Sequence, residues 1–168
     1  QSGTVVARET MQVLERMIAD ALQIQPYDFA SLVYVRELLE TEALRLCARN
    51  RTEEDLAIIE EALSAWEDSF VTDDRVSKDF AYHQALARGA HNSVIASLLL
   101  VITPDVLRYY QRYRVCSVPL EEVCYEHREL LRCVRERDEE GCVAMLQRHL
   151  KSIREFSRTN NQENHFLE

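Results

Sequence analysis

Three glycines and three prolines are spread over 168 residues. A β-sandwich or barrel needs turn-forming residues every ~8–12 positions, and this chain cannot supply them. Long helices joined by short connections are the architecture that remains. Apolar residues make up 46% and charged residues 29%. That contrast is enough to stripe helices around one core and excludes a disordered chain.

The spacing of apolar residues predicts seven helices. The first covers residues 7–22, with Met11, Leu14, Met17, Ile18 and Ala21 on one stripe, and stops before Pro26. Asp28 caps a second, to about residue 49, whose stripe is Leu32, Val35, Leu39, Ala43 and Leu46. Thr52 and Asp55 form a capping box with the shorter Asp in place of Glu or Gln. It opens a third helix with Leu56, Ile59, Leu63, Trp66 and Phe70 inward. A fourth runs from Asp73 or Asp74 to Arg88, where Gly89 is placed for a left-handed cap. A fifth restarts at Asn92 or Ser93 and reaches about residue 114, with Pro104 predicted to kink it or split it at Thr103. Ser117 caps a sixth, with Pro119 in its first turn, ending near Arg137. Asp138 caps a seventh, to about residue 157, and a polar tail follows. No repeat, low-complexity tract or linker interrupts the pattern. The expectation from this pattern is a single all-α domain over residues 1–168, an antiparallel bundle of six to seven helices.

Net charge is −9 and the pI is near 5.1. DNA and anionic membranes repel such a surface. The basic strip Arg108, Arg112 and Arg114 is short and interleaved with tyrosines. No apolar run reaches the ~20 residues that span a bilayer, and the N-terminus lacks the charged and apolar regions of a signal peptide. The five cysteines are odd in number and form no CxxC pair. They read as small buried hydrophobes in a reducing cytoplasm.

The chemistry-bearing pattern is Asp79 and His83, four residues apart, followed by His127 and His149 on two later helices. An i, i+4 pair shares one helix face, so Asp79 and His83 can grip one ion. The connection at Asp138 is short, which makes the helices of His127 and His149 antiparallel neighbours. Each histidine lies roughly 16 Å from that turn at ~1.5 Å rise per residue, so the two meet at one height. Three imidazoles and a carboxylate suit zinc first, with nickel, iron or manganese as alternatives. A di-iron site would need Glu-x-x-His motifs, and no histidine here has Glu three residues before it. His91 and His165 fall outside the pattern, as a helix-end and a tail residue. A zinc hydrolase remains the alternative, with Glu126 or Glu129 as base. Both fit better as solvated helix residues. A helical interaction module with incidental histidines is a third reading.

The run Asp79-Phe-Ala-Tyr-His83, then His91-Asn92, then Glu126-His127-Arg-Glu-Leu, then Met145-Leu-Gln-Arg-His149-Leu150 resembles the FCD domain. That is the FadR-type ligand-binding domain of GntR-family bacterial transcription regulators. Val35-Arg36-Glu-Leu-Leu-Glu40 resembles the family's second helix, and Asp138 with Cys142 the start of its last. The resemblance covers about residues 29–156, and the additional first helix resembles the seven-helix subgroup. It implies a metal held by Asp79, His83, His127 and His149 and a small organic acid beside it. It further implies Arg36 on the acid's carboxylate and Asn92 in the same cavity. A homodimeric, non-enzymatic, cytoplasmic sensor is expected. Its DNA contact would be made only through a winged helix-turn-helix that is expected to lie outside this chain.

Overall fold

The computed structural model describes residues 28–70, 74–113 and 118–159, with the helical positions 13, 16, 17 and 20. Seven helices are complete within them: α1 (Phe29–Asn50), α2 (Glu53–Glu67), α3 (Arg75–Gly89), α4 (Ser93–Tyr113), α5 (Leu120–Glu136), α6 (Glu139–His149) and α7 (Lys151–Thr159). There is no strand among the described residues. The all-α bundle is as expected, and no described helix is long and apolar enough to cross a membrane.

The helix starts follow the predicted chemistry. Asp28 accepts from the Ser31 N–H, which satisfies one of the donors that every helix N-terminus leaves open. Thr52 and Asp55 close a reciprocal capping box at the start of α2. Asp138 accepts from the Gly141 N–H at the start of α6. Leu56, Ile59, Leu63 and Trp66 are buried along α2, as their stripe predicts.

The face of α1 departs from the expected one. Val35 is exposed, together with Tyr34 and Leu38, while Arg36 and Glu40 are buried with Leu32, Val33, Ala43, Leu44 and Cys47. The reason is position: α1 packs on α3, α4, α5, α6 and α7. A helix surrounded on so many sides must hide whatever lies on its inner face, and here that face carries an ion pair. Of the predicted stripe, Leu32 and Ala43 are buried and Leu39 and Leu46 pack partly buried against the core, while Val35 alone turns outward.

Other differences have local causes. Gly89 is helical and not left-handed. A Cβ there would lie 2.6 Å from Cys47 Sγ, so its role is close approach to α1. The left-handed residue is His91 (φ 54°), whose Nε2 lies 2.7 Å from Asp55 Oδ2. Pro104 does not split α4, which runs unbroken from Ser93 to Tyr113, with the Thr103 hydroxyl donating to the Leu99 carbonyl. Pro119 is the residue before α5 and not in its first turn, and Ser117 lies outside the described residues. The last predicted helix is two: α6 closes at His149, Leu150 is a turn, and α7 follows. Hydrogen bonds from Leu150 to Leu146 and from Arg154 to Leu150 bridge that turn, so no Gly or Pro marks it in the sequence. Of the predicted helix over 7–22 only the helical positions 13, 16, 17 and 20 are described, and the tail from residue 160 lies outside the described residues. At the described positions within 7–22, Met17 of the predicted stripe is exposed. Cys47, Cys133 and Cys142 are buried free thiols, and burial raises the Cys47 thiol to about 12, which marks it as inert.

Candidate functional site

α3 carries Asp79 and His83 on one face, α5 carries His127, and α6 ends on His149. The three histidines can each present a ring nitrogen within 4.8 Å of the others. His127 Nε2 lies 3.3 Å from His149 Nε2 and 3.5 Å from Asp79 Oδ1, while Asp79 Oδ2 lies 4.0 Å from His83 Nε2. The equal heights expected of His127 and His149 are what this contact shows. His127 is fully buried, His83 nearly so, and Asp79 is the most open of the set at 22% side-chain exposure.

Each ring has its own support. His83 Nδ1 lies 3.2 Å from Glu40 Oε2, and His149 Nδ1 lies 3.0 Å from Glu126 Oε2. The His127 ring packs against Trp66 and Tyr82, and the Tyr82 hydroxyl donates to the His127 carbonyl at 2.8 Å. Burial and the neighbouring charges of His149, His83 and Arg36 push His127 well below the usual imidazole range, which keeps it neutral. Burial opposes ionisation of Glu40, but Arg36 and His83 outweigh it and hold the carboxyl below the usual range. Glu126 is lowered too: burial works against the shift, and His149 and then Arg148 override it.

This donor set fits a cation. Carboxylates at the Nδ1 side of His83 and His149 select the Nδ1–H tautomer, which leaves their Nε2 lone pairs facing inward. At Zn–N distances of ~2.0–2.1 Å, neighbouring donors of a tetrahedron lie about 3.4 Å apart, close to the His127–His149 separation. His83 Nε2 is buried without a hydrogen-bond partner among the described residues. A proton shared between His127 Nε2 and His149 Nε2 satisfies that pair alone, whereas one cation would engage His83 Nε2 as well.

His83 also lines a narrow pocket that is partly open to solvent and has room for about one water molecule. Arg36, Glu40, Phe80, Gln84 and Thr103 share its lining with apolar residues of α4. Arg36 Nε donates to Glu40 Oε1 at 2.6 Å, and its guanidinium lies over the Phe80 ring. Arg36 and Glu40 thus form an i, i+4 ion pair that is buried against the cavity. Asn92 is elsewhere. Its Oδ1 accepts from the Ile95 N–H at the start of α4, and it is not among the lining residues.

The roles of two residues here were missed in the sequence. Glu126 is buried and doubly engaged, not a solvated helix residue. Glu40 links the cavity arginine to His83. The available signal was the need of any metal-bound imidazole for a partner at its other nitrogen. Side chains of Arg108 and Arg112, and all of Arg114, lie outside the described residues.

The FCD domain family matches residues 31–152. Over 171 aligned residues the chain is 26% identical to the HTH-type transcriptional regulator LutR of Bacillus subtilis (strain 168), covering 96% of this chain and 77% of that protein. Among solved structures it is similar to Streptococcus agalactiae GntR, with TM-score 0.65, 23% identity, 75% of this chain and 57% of that chain covered. It is also similar to E. coli McbR/YncC, with TM-score 0.62, 21% identity, and 80% and 65% covered. Both likenesses show the fold, and this chain spans less than two thirds of either solved chain.

Proposed function

This chain belongs to the FCD domain family, and from that premise we propose that it is the metal-dependent, organic-acid-sensing and dimerisation domain of a GntR-type DNA-binding transcription regulator. The observation that carries the reading is that His83 belongs both to the imidazole cluster and to the cavity that Arg36 lines. Asp79, His83, His127 and His149 would hold one divalent cation, zinc before nickel, iron or manganese, and that ion would offer a Lewis-acidic position to a ligand oxygen.

The protein's own groups do the rest. Arg36 faces the cavity with a planar fork of donors suited to a carboxylate. It is already paired with Glu40, so an incoming acid must share the guanidinium with that side chain. Leu99, Ile102 and Val106 form the apolar wall and limit the ligand to a small one. The donors sit on α1, α3, α5 and α6, so an acid that bridges Arg36 and the imidazole cluster favours one packing of these helices. It biases the orientation of attached DNA-binding domains only by its difference in affinity for the two arrangements. Asn92 enters this scheme as the cap of α4, the helix that supplies the apolar wall. The sensor acts as a homodimer in the cytoplasm and touches DNA only through the separate winged helix-turn-helix domain.

A hydrolase would need a carboxylate base free to act. Both oxygens of Glu126 are engaged, by Arg148 and His149, and Glu129 pairs with Arg132. The sensing reading, without turnover, is the one this arrangement supports.

Elemental mass spectrometry on wild type and His127→Ala tests it. About one divalent metal per chain, lost in the variant, is expected, followed by stabilisation of the wild type by small carboxylic acids in a thermal-shift screen. No stoichiometric metal after reconstitution overturns the metal-dependent reading, and metal without any carboxylate response overturns the organic-acid part.

A further inference from the structure

The three imidazoles are backed unequally. Behind His83 stands Glu40, and behind Glu40 stands Arg36; behind His149 stands Glu126, and behind Glu126 stands Arg148. The same order of groups, arginine to carboxylate to imidazole Nδ1, occurs twice on different helices: Glu126 hydrogen-bonds His149 Nδ1 at 3.0 Å, and Glu40 stands 3.2 Å from His83 Nδ1 as an ion-pair contact. Both carboxylates are buried, Glu40 at 6% and Glu126 at 4% exposure. Ionised carboxylates are seldom buried without a task that holds them there. His127 has no such backing: its Nδ1 finds no hydrogen-bond partner among the described residues, and aromatic packing positions its ring.

We infer that Glu40 and Glu126 are positioning residues that set the affinity of this site for a divalent cation, by fixing the Nδ1–H tautomer and the ring orientation of His83 and His149. The inference rests on the proposed metal reading of the cluster. A neutral imidazole has one lone pair, and the nitrogen that carries it is decided by the acceptor at the other nitrogen. With a carboxylate at Nδ1, the lone pair is at Nε2, the atom that faces the cluster. Without it, the two tautomers compete and part of the population turns an N–H toward the ion's place.

The two supports differ in what lies behind them. Arg148 is half exposed and also pairs with Glu122 at the surface. Arg36 is buried and lines the cavity. A change at Arg36 therefore reaches His83 through Glu40, besides the effect of its charge on His127. Of the two supports, the Glu40 one is the one that also lines the pocket.

Zinc titration against a chromophoric chelator, on wild type, Glu40→Gln, Glu126→Gln and Arg36→Gln, tests the inference, with Glu129→Gln as a surface control on α5. Affinity should fall on the order of 10- to 100-fold in Glu40→Gln and Glu126→Gln, fall by less in Arg36→Gln, and stay unchanged in Glu129→Gln. The second readout is the long-range ¹⁵N–¹H spectrum of the imidazoles in the zinc-free protein. Wild type should show His83 and His149 as the Nδ1–H tautomer, and each Gln variant a mixture at its own histidine only. Folded Gln variants with wild-type affinity and unchanged tautomers overturn the inference while the metal reading stands. A wild type that binds no zinc overturns both. Should a variant fail to fold, the wild-type spectrum still decides, because an Nε2–H tautomer at His83 or His149 overturns the inference by itself.

Discussion

Two polar clusters tie the helices of this bundle together, and they are built to opposite rules. At one end Arg51 and Arg137 clasp each other's helices. Arg137 donates to the carbonyls of Ala48, Arg49 and Arg51 at the close of α1, and Arg51 donates to those of Val134 and Arg135 at the close of α5. Each cation sits at a helix C-terminus, where the open carbonyls and the macrodipole favour it. Acceptors and donors match there within the protein. The histidine cluster is less complete: His127 Nε2 and His149 Nε2 can share one proton at 3.3 Å, but His83 Nε2 is left without a hydrogen-bond partner among the described residues. That open nitrogen is what the proposed cation would fill.

Metal should therefore separate the two regions most sharply. With free zinc 1,000-fold above its Kd, the wild-type fold should gain about 4 kcal/mol over chelator-treated protein. That gain should vanish in His127→Ala and persist in Arg51→Ala, as read by urea unfolding with and without zinc. Equal gain in wild type and His127→Ala would erase the contrast.

Arg51→Ala should cost about 2–3 kcal/mol with or without metal, since it leaves the Val134 and Arg135 carbonyls without their charged donor. A loss that disappears on zinc binding would mean that the two clusters are energetically one.

Gly89→Ala tests the packing between them. Helix propensity alone predicts a gain of roughly 0.5–1 kcal/mol, but the new Cβ would meet Cys47 Sγ. The expected outcome in thermal unfolding is a net loss of about 1–2 kcal/mol, relieved in the Gly89→Ala, Cys47→Ala double variant.

The smallest effect concerns Asp55. Burial opposes its ionisation, but the Thr52 backbone and hydroxyl, then His91, outweigh burial and hold its carboxyl below the usual range. A depressed carboxylate contributes stability above its unfolded pKa, near 3.9, and loses it as pH falls through the folded value. Wild type should lose more stability than Asp55→Asn between about pH 5 and pH 3, by a few tenths of a kcal/mol.

Much of this was legible in the chain. Asp28, Thr52 with Asp55, and Asp138 start helices where a short polar side chain can satisfy open N–H groups, a rule that acts over three residues and needs no tertiary context. His127 and His149 could be placed opposite each other because the two-residue link between α5 and α6 leaves no other registry. What escaped depends on burial from several directions at once. Glu40 and Glu126 look like solvated helix residues until the helices around them are in place, and Val35 looks like core for the same reason. Leu150 breaks a helix with no Gly or Pro to announce it. Gly89 carries a distance constraint from α1 that its own neighbours in sequence do not encode.

α1 has one further consequence. Arg36 and Glu40 look inward while Tyr34 and Leu38, two residues earlier in each case, look outward. At about 100° per residue those rows lie on nearly opposite sides of one rigid cylinder. Such a cylinder cannot turn on one side alone: any roll that re-seats the guanidinium against its carboxylate sweeps the outer tyrosine and leucine through the same angle. The interior of this bundle is thus geared to its surface through a single shaft.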